Sequence, residues 1–218
     1  MIKFLTIVFI LTKTTSIFPE VSMTLNPKHL PVPDQLTTAD LIIRRQQLDD
    51  NDADYAAVMD SRNKLRIWSD SDWPEDNFTP EDNRLDLAMH IEEHRRDEAY
   101  GFSIFSAEES RFLGSLYINS VAPFIENYFA EPDAVQKLKN VDARVEYWLR
   151  QGTDEPSEIG FIHTVQTWLS QAWWFERVAF GSRRNMHMQR QRYAAAGLTE
   201  LTHLISKDGK RQFHFHTR

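Results

Sequence analysis

The stretch from Ala143 to Phe180 constrains the fold of this chain more than any other. Ala143-Arg-Val-Glu-Tyr-Trp-Leu149 alternates Ala, Val, Tyr and Leu on one side with Arg, Glu and Trp on the other, the period of a strand. An acidic turn from Gly152 to Ser157 follows, and Ile162, Val165, Trp168 and Leu169 then recur at helical spacing. Phe175 to Phe180 is β-prone again. A strand, a crossover helix and a strand in this order pair in parallel through a right-handed connection. The chain must therefore build a sheet with a parallel pair inside it.

The rest of the sequence supplies partners for that pair. Leu41 to Gln46 is a short strand after a linker marked by Pro31 and Pro33. Asp50 or Asn51 caps a first helix with Tyr55, Val58, Met59 and Arg62 on one face, ending near Asn63. Arg66 to Phe78, with Trp68 and Trp73 among Ser, Asp and Pro, has the composition of an irregular loop with aromatic anchors. Thr79-Pro80-Glu81-Asp82 starts a second helix running to about Arg96, with Leu85, Ala88 and Met89 as its apolar stripe and Glu92, Glu93, Arg95 and Arg96 on a solvated face. Phe102 to Ser106 and Phe112 to Asn119 form a hairpin, and Asn119 to Asp142 is a long connection with a helical turn at Asp133 to Lys139. Asn185 opens a fourth helix closed at Ala196-Gly197, before two final strands around the turn from Lys207 to Lys210.

Length and charge narrow the function. At 218 residues the chain fits one main domain, 39–218, behind an N-terminal segment, 1–38. A net charge of −7 gives no electrostatic reason to expect nucleic acid, which needs clustered Lys and Arg. With no Cys there is no disulfide, thiolate nucleophile or thiolate zinc site. Phe4 to Leu11 is too short to span a bilayer; flanked by Lys3 and Lys13, it reads as a secretory signal or as an extension ahead of a start at Met23. The second reading makes the protein cytoplasmic and the first makes it exported. His187, His203, His214 and His216 offer no third ligand of predictable position, so no metal is expected. The sequence contains no Gly-x-Ser-x-Gly elbow, His-Glu-x-x-His pair or phosphate-binding loop of the Walker type.

The order β, α, α, β, β, β, α, β, α, β, β resembles the GNAT family of acyl-coenzyme A-dependent N-acyltransferases over 41–218, with local likeness at Ala143 to Leu149 and at Asn185 followed by Tyr193-Ala-Ala-Ala-Gly197-Leu198. The resemblance implies an α/β fold whose mixed, mostly antiparallel sheet has its central parallel fourth and fifth strands splayed and is flanked by helices. It further implies acetyl-CoA as acyl donor, with the pantetheine arm beside Tyr147, Trp148 and Leu149. The pyrophosphate would lie on the turn carrying Arg150 and Gly152 at the third helix's start, and Asn185 would contact the cofactor or simply cap its helix. Asp154, Glu155 and Glu158 depart from the family's turn, because they repel phosphate unless they point outward with Arg150 as the compensating cation.

Transfer to an amine needs a base and an acid. On this resemblance Glu146 is the base and Tyr193 the acid. The residues themselves also allow an ion pair between Glu146 and Arg144, and a core role for Tyr193 beside Met186 and Gln189. Trp68, Trp73 and the connection 119–142 are expected to overhang the splayed cleft and select a small-molecule or peptide amine; a homodimer is compatible. The alternative is a GNAT-shaped interaction or regulatory module that has lost the coenzyme.

Overall fold

The computed structural model describes residues 24–126, 128–129 and 131–218. Nine strands form one sheet in the order β1-β2-β3-β4-β6-β7-β9-β8-β5. They are β1 (Gln35–Thr37), β2 (Leu41–Arg45), β3 (Ala99–Ser106), β4 (Phe112–Asn119), β5 (Tyr128–Phe129), β6 (Ala143–Leu149), β7 (Val178–Arg183), β8 (Thr199–Ser206) and β9 (Gln212–Thr217). Every neighbouring pair is antiparallel except β6 and β7. The expected mixed sheet with a central parallel pair is therefore present. The helices are α1 (Asn51–Asp60), α2 (Arg62–Ser69), α3 (Pro80–Arg95), α4 (Ala122–Glu126), α5 (Pro132–Leu138), α6 (Glu155–Ala172) and α7 (His187–Ala195).

Strand alternation sorts the core into two faces. Val145, Tyr147 and Leu149 of β6 pack with Phe161, Ile162, Val165 and Trp168 of α6 and with Tyr193 of α7. On the other face Trp148 joins Ala57, Val58 and Leu65 beneath α1 and α2. A separate cluster, Ala134, Leu138, Ala179, Leu204, Phe213 and Phe215, lies under α5. The capping signals act as read: the Thr79 hydroxyl accepts from the Asp82 N–H at 3.2 Å while the Asp82 carboxylate accepts from the Thr79 N–H at 2.9 Å. Gly197, at φ 78°, closes α7.

Five expectations need correction. Folded structure begins before residue 39: Leu25 is buried, its N–H donates to Asp97 O at 2.7 Å, and β1 lies inside the supposed linker. The start of the supposed loop at Arg66 lies within α2, a helix ended by Asp70 in the left-handed region at φ 53°. The stripe of α3 was misassigned, since Leu85 and Met89 are 60% and 51% exposed whereas Asn83, Leu87 and His94 are buried. Two of these three buried positions, Asn83 and His94, turn a polar or titratable group to the interior, so hydrophobicity alone does not find the face.

The fifth strand starts at Val178, not Phe175. Trp173 and Phe175 fill the core against Tyr100 and Phe102, and the Asp142 carboxylate holds the turn through the N–H groups of Glu176 and Arg177 at 2.7 and 2.8 Å. Finally, the connection 119–142 folds as α4, β5 and α5 against β8 at the sheet edge. Among its described residues, Asn119 is the one that lines the chamber discussed below.

Two buried histidines set the acid limit of this fold. Burial pulls His94 and His216 down from 6.5 to about 4 each, so both are neutral when folded and take up protons on unfolding. Their contribution is complete above pH 6.5 and is lost as pH falls towards 4. The urea midpoint is expected to drop between pH 7 and pH 5, with a shallower drop in the His94→Asn/His216→Asn variant; equal slopes would refute this account.

Candidate active site

β6 and β7 pair over three positions, Ala143 with Val178, Arg144 with Ala179 and Val145 with Phe180, and then separate. The gap forms a cleft of about 330 Å³. Tyr147, Trp148 and Leu149 wall it on one side, Asn185 to Gln189 on another, and Lys64, Ile67 and Trp68 of α2 close it. Four of the six residues expected to bind a cofactor, Tyr147, Trp148, Leu149 and Asn185, thus converge. The other two do not: Arg150 is ion-paired with Asp60, and Gly152 lines a separate recess with Asp40, Arg111 and Asp154.

The open edge of β6 carries hydrogen bonds that sequence reading missed. Trp68 Nε1 donates to Tyr147 O at 2.8 Å, and Lys64 Nζ donates to Leu149 O at 2.8 Å. Lys64 and Trp68 are four apart on α2, a spacing that becomes visible only once that segment is known to be helical. Burial holds the Lys64 ammonium below its usual range. Deeper in the cleft, Tyr147 donates its hydroxyl to Glu158 Oε1 at 2.9 Å, and Arg192 pairs with the other oxygen.

The start of α6 tests the fit of a pyrophosphate. Asp154 caps the helix by accepting from the Ser157 N–H at 2.8 Å, and the N–H groups of Arg150, Gln151, Thr153 and Glu158 also donate within the chain. Pro156 offers no N–H. The expectation that the acids point outward with Arg150 compensating is thus corrected for Glu158, which is buried and turned to Arg192, and for Arg150, which is engaged by Asp60. The carbonyls on the open edge of β6 are held by Trp68 and Lys64, and Asp154 caps the helix start.

On the α1–α3 side of the sheet lies a chamber of about 300 Å³. Trp68 and Trp148 line both chamber and cleft, so they form the partition between them. Trp73, expected to overhang the cleft, lies on the chamber wall instead and donates Nε1–H to Asp86 Oδ2 at 3.3 Å. Glu146 also reaches the wall, with both oxygens engaged: Arg144 holds one and Arg183 the other at 3.0 Å. Of the two readings of Glu146, the ion pair is the geometry observed, with Arg183 as an additional partner stacked 5.0 Å over the Trp68 ring. Gly181 makes room for this arrangement, because a Cβ there would lie 2.4 Å from the Phe213 ring and 3.2 Å from Glu146 Cγ.

Tyr193 is fully buried against Tyr147 and Phe180, and its hydroxyl donates to Gly181 O at 2.8 Å. It is absent from the cleft walls, and burial pushes its ionisation well above the usual phenol range. The core reading of Tyr193 is the one its surroundings match. The carboxylates that sequence reading overlooked are Asp54 on α1 and Asp86 on α3. Burial, more than any neighbour, raises both, Asp54 to about 6. Asn83 Nδ2 donates to Asp54 at 3.0 Å and opposes the rise.

The histidine reading also changes. His203 faces His214 across β8 and β9, and Glu200 brings their three ligand atoms within 4.8 Å, a third group that only the hairpin register reveals. Both imidazoles now hydrogen-bond Glu200, at 3.3 and 3.1 Å. No helix of the described residues is long and apolar enough to cross a membrane.

This sheet order with its parted parallel strands is the fold of the GNAT acyltransferases. No protein-family model and no curated protein sequence matches the chain. Among solved structures it is similar to the ribosomal-protein-S5-alanine acetyltransferase of Vibrio fischeri, at 16% identity and TM-score 0.59 over 84% of this chain and 95% of that one. It is also similar to the Salmonella typhimurium acetyltransferase that modifies the N-terminal serine of ribosomal protein L7/L12, at 15% identity and TM-score 0.61 over 83% and 95%. A third is the microcin C7 self-immunity acetyltransferase in complex with acetyl-CoA and AMP, at 10% identity and TM-score 0.62 over 86% and 97%.

The chamber makes a stability prediction of its own. Asp54 is protonated more readily when folded than when unfolded, so its contribution is present below pH 3.8 and is lost as pH rises through about 6. Asp54→Asn keeps an oxygen for Asn83 and removes that loss. It is expected to stabilise the protein by roughly 2–3 kcal/mol at pH 8 and by nothing near pH 3.5, measured by urea unfolding. Destabilisation at pH 8 would show that the carboxylate is not strained there.

Proposed function

We propose that this chain is an N-acyltransferase that moves an acetyl group from acetyl-CoA to an amine by direct attack, without a covalent enzyme intermediate. The observation that carries this reading is the parting of β6 and β7 after Val145 and Phe180, next to a chamber walled by carboxylates and aromatic rings. Tyr147 O and Leu149 O on the open edge are the acceptors an extended amide-bearing arm would use once Trp68 and Lys64 release them, with Asn185 at the mouth of the same cleft. The neighbours of similar fold are acetyltransferases, one of them bound to acetyl-CoA, which supports the same donor here.

The chain's own groups divide the work. Trp68 and Trp148 stand between the cleft, which would take the donor, and the chamber, which would take the acceptor, and direct attack requires the nitrogen to reach the thioester carbon past their edges. Nitrogen attack forms the C–N bond, the C–S bond breaks, and the sulfur leaves as a thiolate that needs a proton. The cleft offers it the Lys64 ammonium, which burial has made easier to deprotonate. Glu146, saturated by two guanidiniums, fixes Arg183 against Trp68 and so positions the partition. Tyr193 anchors β7 at Gly181, where the strands part.

A specific observation favours a second reading, the non-catalytic module: the start of α6 spends its N–H groups and the Asp154 carboxylate on its own cap. Thermal unfolding of the full chain with and without acetyl-CoA separates the two. At a hundredfold excess over the dissociation constant, about 2.7 kcal/mol of stabilisation is expected, raising the midpoint by several degrees. No shift at millimolar acetyl-CoA would hand the case to the module.

A further inference from the structure

The chamber's walls specify more than an amine in general. Their charged groups are Asp54, Asp86 and Glu146, with His90 as the one basic side chain and neither Lys nor Arg among the lining residues. Glu146 is neutralised by its two arginines. Among the described residues Asp54 and Asp86 have no cationic partner within ion-pair distance; each is met only by a neutral donor, Asn83 and Trp73 respectively. A buried carboxylate, Asp54, and a half-buried one, Asp86, without counter-ions are costly. A ligand that brings its own positive charge removes that cost.

Other groups on the wall point to the same ligand. Trp68, Trp73, Trp148 and Tyr117 present ring surfaces, which attract a cation electrostatically and an apolar body by burial. A cavity of about 300 Å³ lies at the small end of small-molecule sites. With no fixed cation on the wall, a carboxylate or phosphate on the acceptor would be buried unpaired beside two acids.

Resting on the acyltransferase reading, we infer that the acceptor is a small primary amine with a flat apolar body and no acidic group, bound as its ammonium by Asp54 and Asp86, and that Asp54 takes the proton that frees the nitrogen. The step balances. One ammonium proton passes to the Asp54 carboxylate, which leaves both groups neutral. The lone pair so released attacks the acyl carbon, and a second nitrogen proton leaves as the amide forms, matching the proton gained by the thiolate.

Groups facing Asp54 are Asp50, held by Arg44 and Ser103, then Asp86, Tyr117 and His90, whose Nδ1 meets Glu93 at 3.1 Å. None of them is a fixed cation free to replace the ligand's charge.

The test uses the full chain with 2-phenylethylamine, phenylalanine and 2-phenylethanol, measured for binding by calorimetry and for acetylation by mass spectrometry with acetyl-CoA present. 2-Phenylethylamine is expected to bind and be acetylated, while the amino acid, which adds a carboxylate, and the alcohol, which lacks the charge, bind at least tenfold more weakly. Asp54→Asn should lower kcat/KM by about 10²-fold or more and abolish the acid limb of its pH profile, whereas Asp86→Asn weakens binding but keeps the limb. Equal binding of phenylalanine, or an unchanged acid limb in Asp54→Asn, overturns the inference. Amine binding without any response to acetyl-CoA would uphold the ligand class, refute Asp54 as the transfer base, and sink the acyltransferase reading instead.

Discussion

Three register pairs between β6 and β7 carry the architecture of this molecule. Were the parallel pairing to continue past Val145 and Phe180, backbone hydrogen bonds would seal the sheet and leave no cleft. Its early end has local causes. The Asp142 carboxylate gathers the N–H groups of Glu176 and Arg177 at one end of the pair. At the other, the Tyr193 hydroxyl takes Gly181 O, and Trp68 and Lys64 take Tyr147 O and Leu149 O, while β9 pairs with the opposite edge of β7. Each strand leaves the pair because something else already satisfies its backbone.

Buried charge is handled in two ways. Two acids are saturated, Glu158 in the cleft by Tyr147 and Arg192 and Glu146 on the chamber wall by Arg144 and Arg183. In the chamber, Asp54 and Asp86 are given only neutral donors. The saturated acids are structural, because breaking one of those pairs would strand a buried charge. The unsaturated ones hold destabilisation that a partner can relieve, the usual signature of a group shaped for chemistry rather than for folding.

The sheet was legible because strand alternation survives burial: Ala143 to Leu149 shows its two faces plainly, and Thr79 to Asp82 shows its cap. That register places Tyr147, Trp148 and Leu149 together on the cleft wall. What escaped was whatever tertiary contact alone decides. α2 has one fully buried apolar residue, Leu65, and so no stripe to announce it, which hid Lys64. Asp54 looked like an acid in a helix's first turn, where the dipole explains it, yet α3 folds over it and turns it inward. Tyr193 sat at a suggestive distance from Gly197, but the direction of its hydroxyl depends on where β7 runs.

The indole of Trp68 and the ammonium of Lys64 occupy backbone acceptors on the open edge of β6. In doing so α2 behaves as an intramolecular competitor, present at a fixed effective concentration, for any strand-like ligand of that edge. Whatever binds there meets a surface already solvated by protein, so its measured affinity is its intrinsic affinity scaled by the fraction of molecules in which α2 has let go. Because the same indole also walls the chamber, release on one side would reshape the other, and ligands of the two spaces would be thermodynamically linked through a single side chain.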